Sequence, residues 1–314
     1  METLKNKIDF VVVVAVNMAN ANGDPLNGNR PRTDYAGLGE MSDVCIKRKL
    51  RNRMQDMDQK IFVQSDDRCD DGYPTLKARA DALIGTVSEK KTEKGKKSDD
   101  KDSAKMKEST GLTRDEYAQK ACETFLDVRA FGQVFAYGSK KSEDDAGSGK
   151  GVSVGVRGPV SIHQAVSVSP VEVVSMQITK SVSGDKKDGK ERGSDTMGMK
   201  HFVKFGVYVV KGSINVQLAE KTGFSEEDAE IVKECIRTMF INDSSAARPD
   251  GSMEVIKLFW FTHNCKDGQY SSAKVHRSIR VVLKDNILVP TSMDDYVITV
   301  EELPDLSVEV IEGV

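Results

Sequence analysis

A run of mostly β-branched residues near the N-terminus is the longest apolar stretch of the sequence. It extends from Phe10 to Val16 and ends at Asn17. Such a run is typical of a central strand that is buried on both faces. It is far shorter than the roughly 20 residues that a helix needs to cross a bilayer. We therefore expect a cytoplasmic protein built around this strand, with no membrane partner.

The elements after this strand follow a recognisable order. Helices are predicted from apolar residues at helical spacing, and strands from apolar residues that alternate with polar ones. In chain order the predicted elements are a strand (8–17), a helix (42–60), two strands (156–178 and 201–218), a helix (225–241) and a strand (253–262). Further short strands are predicted at 277–283, 287–289 and 296–310. The order βαββαβ indicates an α+β protein with the ferredoxin-like arrangement of RNA-recognition modules, in which two helices back an antiparallel sheet.

Long polar segments interrupt this order. Residues 86–110 carry eight lysines and six acidic residues, a composition that cannot bury a core. A helix follows, opened by a capping box of Thr113 and Glu116. A second polar insert at about 180–200 joins two strands that are predicted to pair, so it is predicted to form a hairpin.

The charge, cysteine and histidine counts exclude several kinds of site. The formal net charge is −3, from 46 Lys and Arg against 49 Asp and Glu. A nucleic-acid partner would therefore have to bind a local basic patch. The five cysteines contain no Cys-x-x-Cys pair, and the four histidines are not spaced as metal ligands. The sequence predicts no disulfide framework, no metal, no cofactor and no catalytic triad.

The first predicted helix carries the densest basic patch. Lys47, Arg48, Lys49, Arg51 and Arg53 are five basic residues in a window of seven that contains no acidic residue. A cationic helix face is usually only solvated. A window of this density repels itself unless anions lie nearby, and phosphates would supply them. We therefore predict a groove for a phosphate backbone at this helix.

The turn-rich segment before this helix supports the same prediction. Residues 20–34 carry Arg30 and Arg32 among Asn, Gly and Pro, and Ser42 is the predicted N-cap of the helix. Free backbone N–H groups at a helix start bind anions. The segment also contains Asp24 and Asp34, whose carboxylates could serve a nuclease, although Asp in turns usually caps the backbone.

Two further motifs are weaker. The segment Arg129-Ala-Phe131-Gly132-Gln-Val134 matches part of the RNP1 pattern of RNA-recognition modules, although Phe131 fits a core aromatic equally well. In the segment 181–200, Met197 and Met199 accompany five cations. Apolar side chains on a projecting hairpin can wedge between bases. The alternative is a hairpin tip with no such role.

Several of these residues carry a resemblance to a known family. The stretches from Asn20 to Asp34 and from Ser42 to Arg51 are similar to the backbone subunit of the type I-C CRISPR surveillance complex, Cascade. Three later segments fit the same family, namely Phe131-Gly132, Arg157-Gly158-Pro159-Val160 and Met197-Gly198-Met199. The resemblance spans nearly the whole chain.

This resemblance implies a non-catalytic subunit that binds guide crRNA in antiviral defence. It implies two domains, an RNA-recognition-like palm (1–61 and 156–314) with a β-hairpin thumb (about 180–200), and a helical finger inserted into it (about 62–155). Copies would stack head to tail along the guide RNA, and each thumb would flip a base, so that the intervening bases can pair with target DNA. Other Cascade subunits and a recruited helicase-nuclease would be further partners.

The resemblance also assigns roles to residues. It implies that Ser42, Lys47, Arg48 and Arg51 hold guide phosphates and that Met197 and Met199 lie near the kink. The predicted RNA-binding set is Arg30, Arg32, Ser42, Lys47, Arg48, Lys49, Arg51, Arg53, Arg129, Phe131, Gly132 and Arg157, and the predicted base-kinking set is Met197, Met199 and His201. Two alternatives stay open. One is a metal-dependent ribonuclease of the same fold family that uses Asp24, and the other is a protein scaffold that binds no nucleic acid.

Overall fold

The computed structural model describes residues 2–83, 113–136, 153–179 and 197–314, which form two compact units. The sheet unit comprises Asn6–Arg53, Ile162–Ile214 and Ile231–Val314. The helical unit comprises Met1–Lys5, Met54–Ser161 and Asn215–Glu230. The predicted polar segment at 86–110 and most of the predicted hairpin insert, 180–196, lie outside the described residues.

The helices and strands have the following bounds in the described residues. The helices are α1 (Asp43–Asp56), α2 (76–83), α3 (Arg114–Thr124), α4 (Leu126–Phe131), α5 (Val216–Thr222), α6 (Glu226–Arg237) and α7 (Ser272–Ser278). The strands are β1 (Ile8–Ala19), β2 (Gly23–Asp24), β3 (Arg30–Pro31), β4 (Leu38–Met41), β5 (Gly132–Ala136), β6 (Ser153–Arg157), β7 (Val160–Ile162), β8 (Ala165–Pro170), β9 (Val173–Thr179), β10 (Met197–Ile214), β11 (Met253–Thr262), β12 (Ile279–Leu283), β13 (Tyr296–Val300) and β14 (Val308–Glu312). None of the described helices is long and apolar enough to span a bilayer.

β1 is the central strand of the large sheet, as its apolar run predicts. The strand order is β14-β11-β1-β10-β8-β4, and β7 and β9 also pair with β10. β1 pairs antiparallel with both β10 and β11, and Val11 to Val14 are fully buried. Full burial of one aliphatic side chain stabilises the fold by about 1.5–3 kcal/mol. The prediction of an α+β protein with a buried central strand in an antiparallel sheet is therefore confirmed.

Several predicted strands differ from the structure. The predicted strand 156–178 is divided among β6, β7, β8 and β9, and residues 301–307 of the predicted strand 296–310 lie between β13 and β14. Val216 and Leu218 continue the apolar alternation of β10, but α5 begins at Val216. The reason is a helix cap, since the side-chain oxygen of Asn215 accepts a hydrogen bond from the backbone N–H of Leu218 at 2.9 Å. Residues 287–289 are not in a strand. The short helix α7 was not predicted, and it includes residues 277 and 278 of a predicted strand.

The helical unit has its own aromatic core. Phe62 packs edge to face against Phe125 and Phe135, with ring centroids 5.4 and 5.0 Å apart. The fully buried carboxylate of Asp127 accepts hydrogen bonds from the backbone N–H groups of Phe62 and Val63 at 2.7 and 3.1 Å. A buried charge persists only with such partners, so Asp127 fixes the chain beside this core. The predicted capping box at the start of α3 is confirmed.

The helical unit extends beyond the predicted insertion. The insertion was predicted over 62–155, whereas the unit runs from Met54 to Ser161 and also takes in Met1–Lys5 and Asn215–Glu230. The predicted division between palm and finger therefore stays a prediction.

Candidate nucleic-acid interface

Ser42 is the N-cap of α1, as predicted. Its hydroxyl oxygen accepts a hydrogen bond from the backbone N–H of Cys45 at 3.3 Å. The Ser42 hydroxyl and backbone N–H in turn donate to Asn22 Oδ1 at 3.0 and 2.9 Å. Asn22 thereby ties the turn-rich segment to the start of α1. The sequence analysis missed Asn22, because residues 20–34 contain four asparagines and nothing distinguishes this one.

The two carboxylates of the turn-rich segment cap backbone groups. Asp34 Oδ1 accepts hydrogen bonds from the N–H groups of Ala36 and Leu38, both at 2.8 Å. Asp24 Oδ1 accepts from a backbone N–H two residues further along at 3.2 Å, and it pairs with Arg32 Nη2 at 3.3 Å. Within the described ranges, no group of three or more His, Cys, Asp or Glu could hold a metal ion. The contacts of Asp24 and Asp34 thus match the capping role of Asp in turns.

The five cations of α1 differ in their surroundings. Lys47 is half-buried and pairs with Asp43 one turn earlier at 3.1 Å, and Arg48 and Arg51 are half-buried. Arg53 donates from Nε to the hydroxyl of Thr238 at 2.8 Å. The basic window therefore does not form one uniform surface.

Lys49 is the cation of this window that turns inward. Its side chain is 4% exposed, it forms an ion pair with Asp243, and its ammonium lies 5.4 Å from the centroid of the Phe240 ring. Burial lowers the pKa of Lys49, although the charge of Asp243 opposes this shift. Because its charge is already matched inside the protein, we leave Lys49 out of the proposed interface. The sequence analysis could not separate it from its neighbours, since its partner is 194 residues away.

Arg30 and His201 meet at one serine. Arg30 Nη1 donates to Ser175 Oγ at 2.6 Å, and Nδ1 of His201 lies 2.8 Å from the same oxygen. Arg30 and Arg32 also border a small polar cavity of about 130 Å³, together with Asp24 and Glu40. The structure therefore brings the predicted loop arginines and one predicted hairpin residue to the same place.

β9 and the first part of β10 form a two-stranded ribbon, called here the β9–β10 ribbon (173–179 with 197–203). Met197 pairs with Thr179 and Met199 with Gln177. Met197 is 65% exposed and Met199 is 55% exposed. Alternate residues of a strand share a face, so Met197, Met199 and His201 point to the same side. The two methionines and the histidine thus form one surface, which is apolar at the methionines and polar at His201.

The opposite face of the β9–β10 ribbon is also apolar. Met176 and Ile178 are exposed there, and they pair with Lys200 and Gly198. This second apolar face was not predicted, because the alternation of β9 was interpreted as a half-buried strand.

The remaining predicted residues lie in the helical unit. Arg129 makes a two-fold contact with the carboxylate of Asp228 at 2.8 and 2.7 Å, and this hydrogen bond raises the pKa of the guanidinium. Arg129 also donates to the carbonyl of Cys122 at 2.6 Å. It therefore braces the helical unit, and we leave it out of the proposed interface. Arg157 is exposed and borders a cavity of about 690 Å³ beside α3 and α5.

The RNP1-like segment does not lie on the large sheet. An RNP1 motif places its aromatics on the RNA-binding sheet of its module. Here Phe131 is half-buried at the end of α4, and Gly132 begins β5, which pairs only with β6 in the described residues. Gly132 has a φ of 78°, and a Cβ atom there would overlap the carbonyl oxygen of Val156. A Cβ at Gly158 would overlap the carbonyl of Ala130 in the same way. Close backbone packing explains why glycine occupies both positions. We therefore leave the RNP1-like segment out of the proposed interface.

In sequence, this chain is similar to proteins of one known family. The family model described as CRISPR-associated protein Cas7 matches residues 6–301. A relative from Haloferax volcanii, described as CRISPR-associated protein Cas7, is 27% identical over 233 residues. That match covers 73% of this chain and 62% of the relative, so the chain spans less than two thirds of the relative's length.

Two solved structures are similar to this chain. One is a chain of a CRISPR RNA-guided surveillance complex in a pre-nicking state, with a TM-score of 0.46 and 17% identity, covering 90% of this chain and 83% of that one. The other is a chain of a CRISPR RNA-guided surveillance complex, with a TM-score of 0.41 and 15% identity, covering 90% of this chain and 78% of that one.

Proposed function

We propose, from the premise that the chain belongs to the CRISPR-associated Cas7 family, that it is a non-catalytic subunit that binds crRNA in the backbone of a CRISPR surveillance complex. The observation that carries this proposal is the junction of the turn-rich segment with α1. There Asn22 holds Ser42 at the helix start, and Arg30, Arg32 and Lys47 belong to the two segments that meet. Helix starts and arginines are the groups that bind phosphate.

The topology of the sheet unit supports an RNA-recognition-like palm. The chain between β1 and β8 contains α1 and most of the helical unit, and β10 lies between the two strands in the sheet. β10 and β11 are connected through α6, and β1 lies between them. This strand order supports the split βαβ arrangement of ferredoxin-like proteins, which we propose for the palm. The proposed palm covers 1–61 and 156–314, the proposed finger 62–155, and the proposed thumb about 180–200.

The proposed guide-binding residues follow from these positions. Ser42, Lys47, Arg48 and Arg51 on α1 would contact sugar-phosphate groups together with the loop arginines. Met197, Met199 and His201 share one face of the β9–β10 ribbon and would kink the guide by inserting apolar side chains between bases. Such binding would tolerate any guide sequence, because phosphate contacts carry no base information.

The wider assembly belongs to the same proposal. The subunit would belong to a type I-C complex, stack head to tail with copies of itself, and present the guide to a target DNA strand. Heterologous contacts that do not close into a ring produce such filaments. Other Cascade subunits and a helicase-nuclease would be its partners in the cytoplasm. Nothing favours the ribonuclease alternative, since the Asp24 carboxylate already caps backbone and pairs with Arg32.

The experiment that tests this proposal is a salt titration of guide RNA binding. For a single strand, the slope of log affinity against log salt is about −0.7 for each phosphate neutralised. We expect the triple variant Lys47→Gln, Arg48→Gln and Arg51→Gln to weaken binding of unrelated guide sequences by similar factors and to flatten the slope by about 2.

A matched variant controls for the lost charge. Lys204, Arg280 and Lys284 are exposed cations of the same unit, outside the proposed interface. Replacing these three by Gln removes the same net charge and should leave the slope close to that of the wild type. Equal effects of the two triple variants would contradict the proposal, because general charge and not α1 would then bind the guide.

A further inference from the structure

Arg30 differs from its neighbour Arg32 in the kind of group that holds it. Arg32 pairs with the carboxylate of Asp24 at 3.3 Å, so an acid already balances its charge. Arg30 is held by the neutral hydroxyl of Ser175 at 2.6 Å, and it makes no ion pair with any residue of the described ranges. A hydroxyl can orient a guanidinium without neutralising it. Arg30 is therefore both fixed in direction and open to an anion.

We infer that Ser175 is a positioning residue that orients the Arg30 guanidinium toward a phosphate of the bound guide RNA. This inference rests on the proposed function. It assigns a role to a residue of β9 that neither the basic helix nor the methionines of the ribbon account for.

The hydrogen-bonding capacity of serine explains how one hydroxyl serves two partners. A serine hydroxyl has one donor and two acceptor positions. When Ser175 Oγ accepts from Arg30, its own proton can be donated to Nδ1 of His201, which lies at 2.8 Å. His201 and Ser175 are cross-strand partners, so the pairing of the β9–β10 ribbon holds them together. Only one of the five guanidinium N–H groups of Arg30 is used in this bond.

The surroundings of Arg30 have room for a ligand. Arg30 borders the cavity of about 130 Å³, whose other lining residues include Arg32, Thr33 and Val173 and the carboxylates of Asp24 and Glu40, of which Asp24 is paired with Arg32. At about 30 Å³ for each water molecule, this space holds roughly four waters. A phosphate group with part of its hydration shell fits such a space. Arg30 lies in a strand of two residues, and the bond to Ser175 links its guanidinium to the ribbon.

The alternative is that the bond between Arg30 and Ser175 only braces the loop against the ribbon. A double-mutant cycle separates the two roles. The variants are Ser175→Ala, Arg30→Gln, their combination, and Ser175→Thr, which retains the hydroxyl. Ser161→Ala, at an exposed serine of β7, is the matched control. Guide RNA affinity and melting temperature are measured for all of them.

We expect Ser175→Ala to weaken guide binding about two- to tenfold, the effect of one hydrogen bond. Ser175→Thr should restore the affinity, and Ser175→Ala in the Arg30→Gln background should change it by less than about twofold. If the bond only braces the loop, Ser175→Ala should lower the melting temperature. The effects of Ser175→Ala and Arg30→Gln on guide affinity should then be additive.

The results distinguish a failure of the positioning role of Ser175 from a failure of the proposed function. If the wild type binds guide RNA and the effects of Ser175→Ala and Arg30→Gln are additive, or Ser175→Ala leaves affinity unchanged, the positioning role is wrong and the proposed function stands. If the wild type does not bind guide RNA at all, the proposed function fails and this inference fails with it.

Discussion

The two ends of strand β10 belong to one element and have opposite surroundings. Its C-terminal part pairs with β1 from Val203 to Ile214 and is largely buried. From Met197 to Phe202 it pairs with β9 alone among the described strands, and it exposes Met197 and Met199 on one face. A strand can therefore contribute to the core at one end and present an interaction surface at the other.

Polar groups follow the same division. At the buried end, the carboxylate of Asp9 accepts from His263 at 2.8 Å and pairs with Lys7 at 3.2 Å, and His276 donates to the Gly212 carbonyl at 2.9 Å. At the exposed end, His201 and its neighbours are at the surface. Charges at the buried end therefore stabilise the fold, whereas those at the exposed end can bind a ligand.

The largest expected effect is at the buried end. Burial raises the pKa of Asp9, but the hydrogen bonds from His263 and Ser272 and the charge of Lys7 outweigh this, so the net pKa lies below its usual value. Replacing Asp9 by Ala leaves Lys7 without its buried partner. We expect the free energy of unfolding to fall by about 3–5 kcal/mol in urea titrations. Asp285→Ala, in an exposed turn, should change it by less than about 0.5 kcal/mol. A similar small change for Asp9→Ala would show that the buried charges at this end of β10 do not stabilise the fold.

A second test applies the same contrast to two lysines of α1. Lys49→Ala leaves Asp243 buried with only Arg248 as partner, at 3.2 Å. We expect the free energy of unfolding to fall by about 1–3 kcal/mol and guide affinity to be unchanged. Lys47→Ala should do the reverse, with little change in stability and weaker guide binding. If Lys49→Ala weakens guide binding more than Lys47→Ala does, the division between structural and binding cations is wrong.

A third test is the pH dependence of stability. Burial lowers the pKa of His276, although the Gly212 carbonyl and Asp9 oppose the shift. The folded state therefore favours the neutral ring, and its contribution is full above the unfolded pKa of about 6.5 and is lost as the pH falls below it. We expect a decline of at most about 1.4 kcal/mol per pH unit between pH 6.5 and 5 for this one proton.

The variant His276→Gln should flatten that decline. Ser278→Ala, on the same helix, removes the hydrogen bond from the hydroxyl to the Val275 carbonyl and should lower stability equally at each pH. A decline of the same steepness in the wild type and His276→Gln would show that other groups titrate.

The smallest expected effect on stability is at the exposed end. Met197→Ser combined with Met199→Ser should change the free energy of unfolding by less than about 0.5 kcal/mol. The same variant should weaken guide binding, since the apolar side chains would no longer insert between bases. Met176→Ser combined with Ile178→Ser alters the opposite face of the ribbon, and guide affinity should then stay unchanged. Equal losses from both faces would remove the distinction between them.

Local patterns in the sequence predicted much of the fold. The apolar run predicted β1, and cap residues predicted the starts of α1 and α3, because those signals lie within a few residues of the elements they specify. The helix α5 was missed because its cap, Asn215, interrupts an apolar alternation that otherwise reads as a strand.

The candidate site could be predicted only in part. The cations of α1 could be identified from the sequence. The burial of Lys49, however, depends on Asp243, and the orientation of Arg30 depends on Ser175, 145 residues away. Composition and spacing contain no information about such long-range pairs. The distinction between a cation that is already matched and one that is open therefore appears only in three dimensions.

The close contact of Gly132 and Gly158 limits how this chain can diverge. A side chain at either position would overlap main-chain atoms. Every residue has these atoms, so no substitution elsewhere can remove them. In a saturation library, both positions should therefore tolerate almost no replacement, and no second-site change in a neighbouring side chain should rescue them. Engineered insertions or fusions in the helical unit would have to leave this crossing of two backbone segments intact.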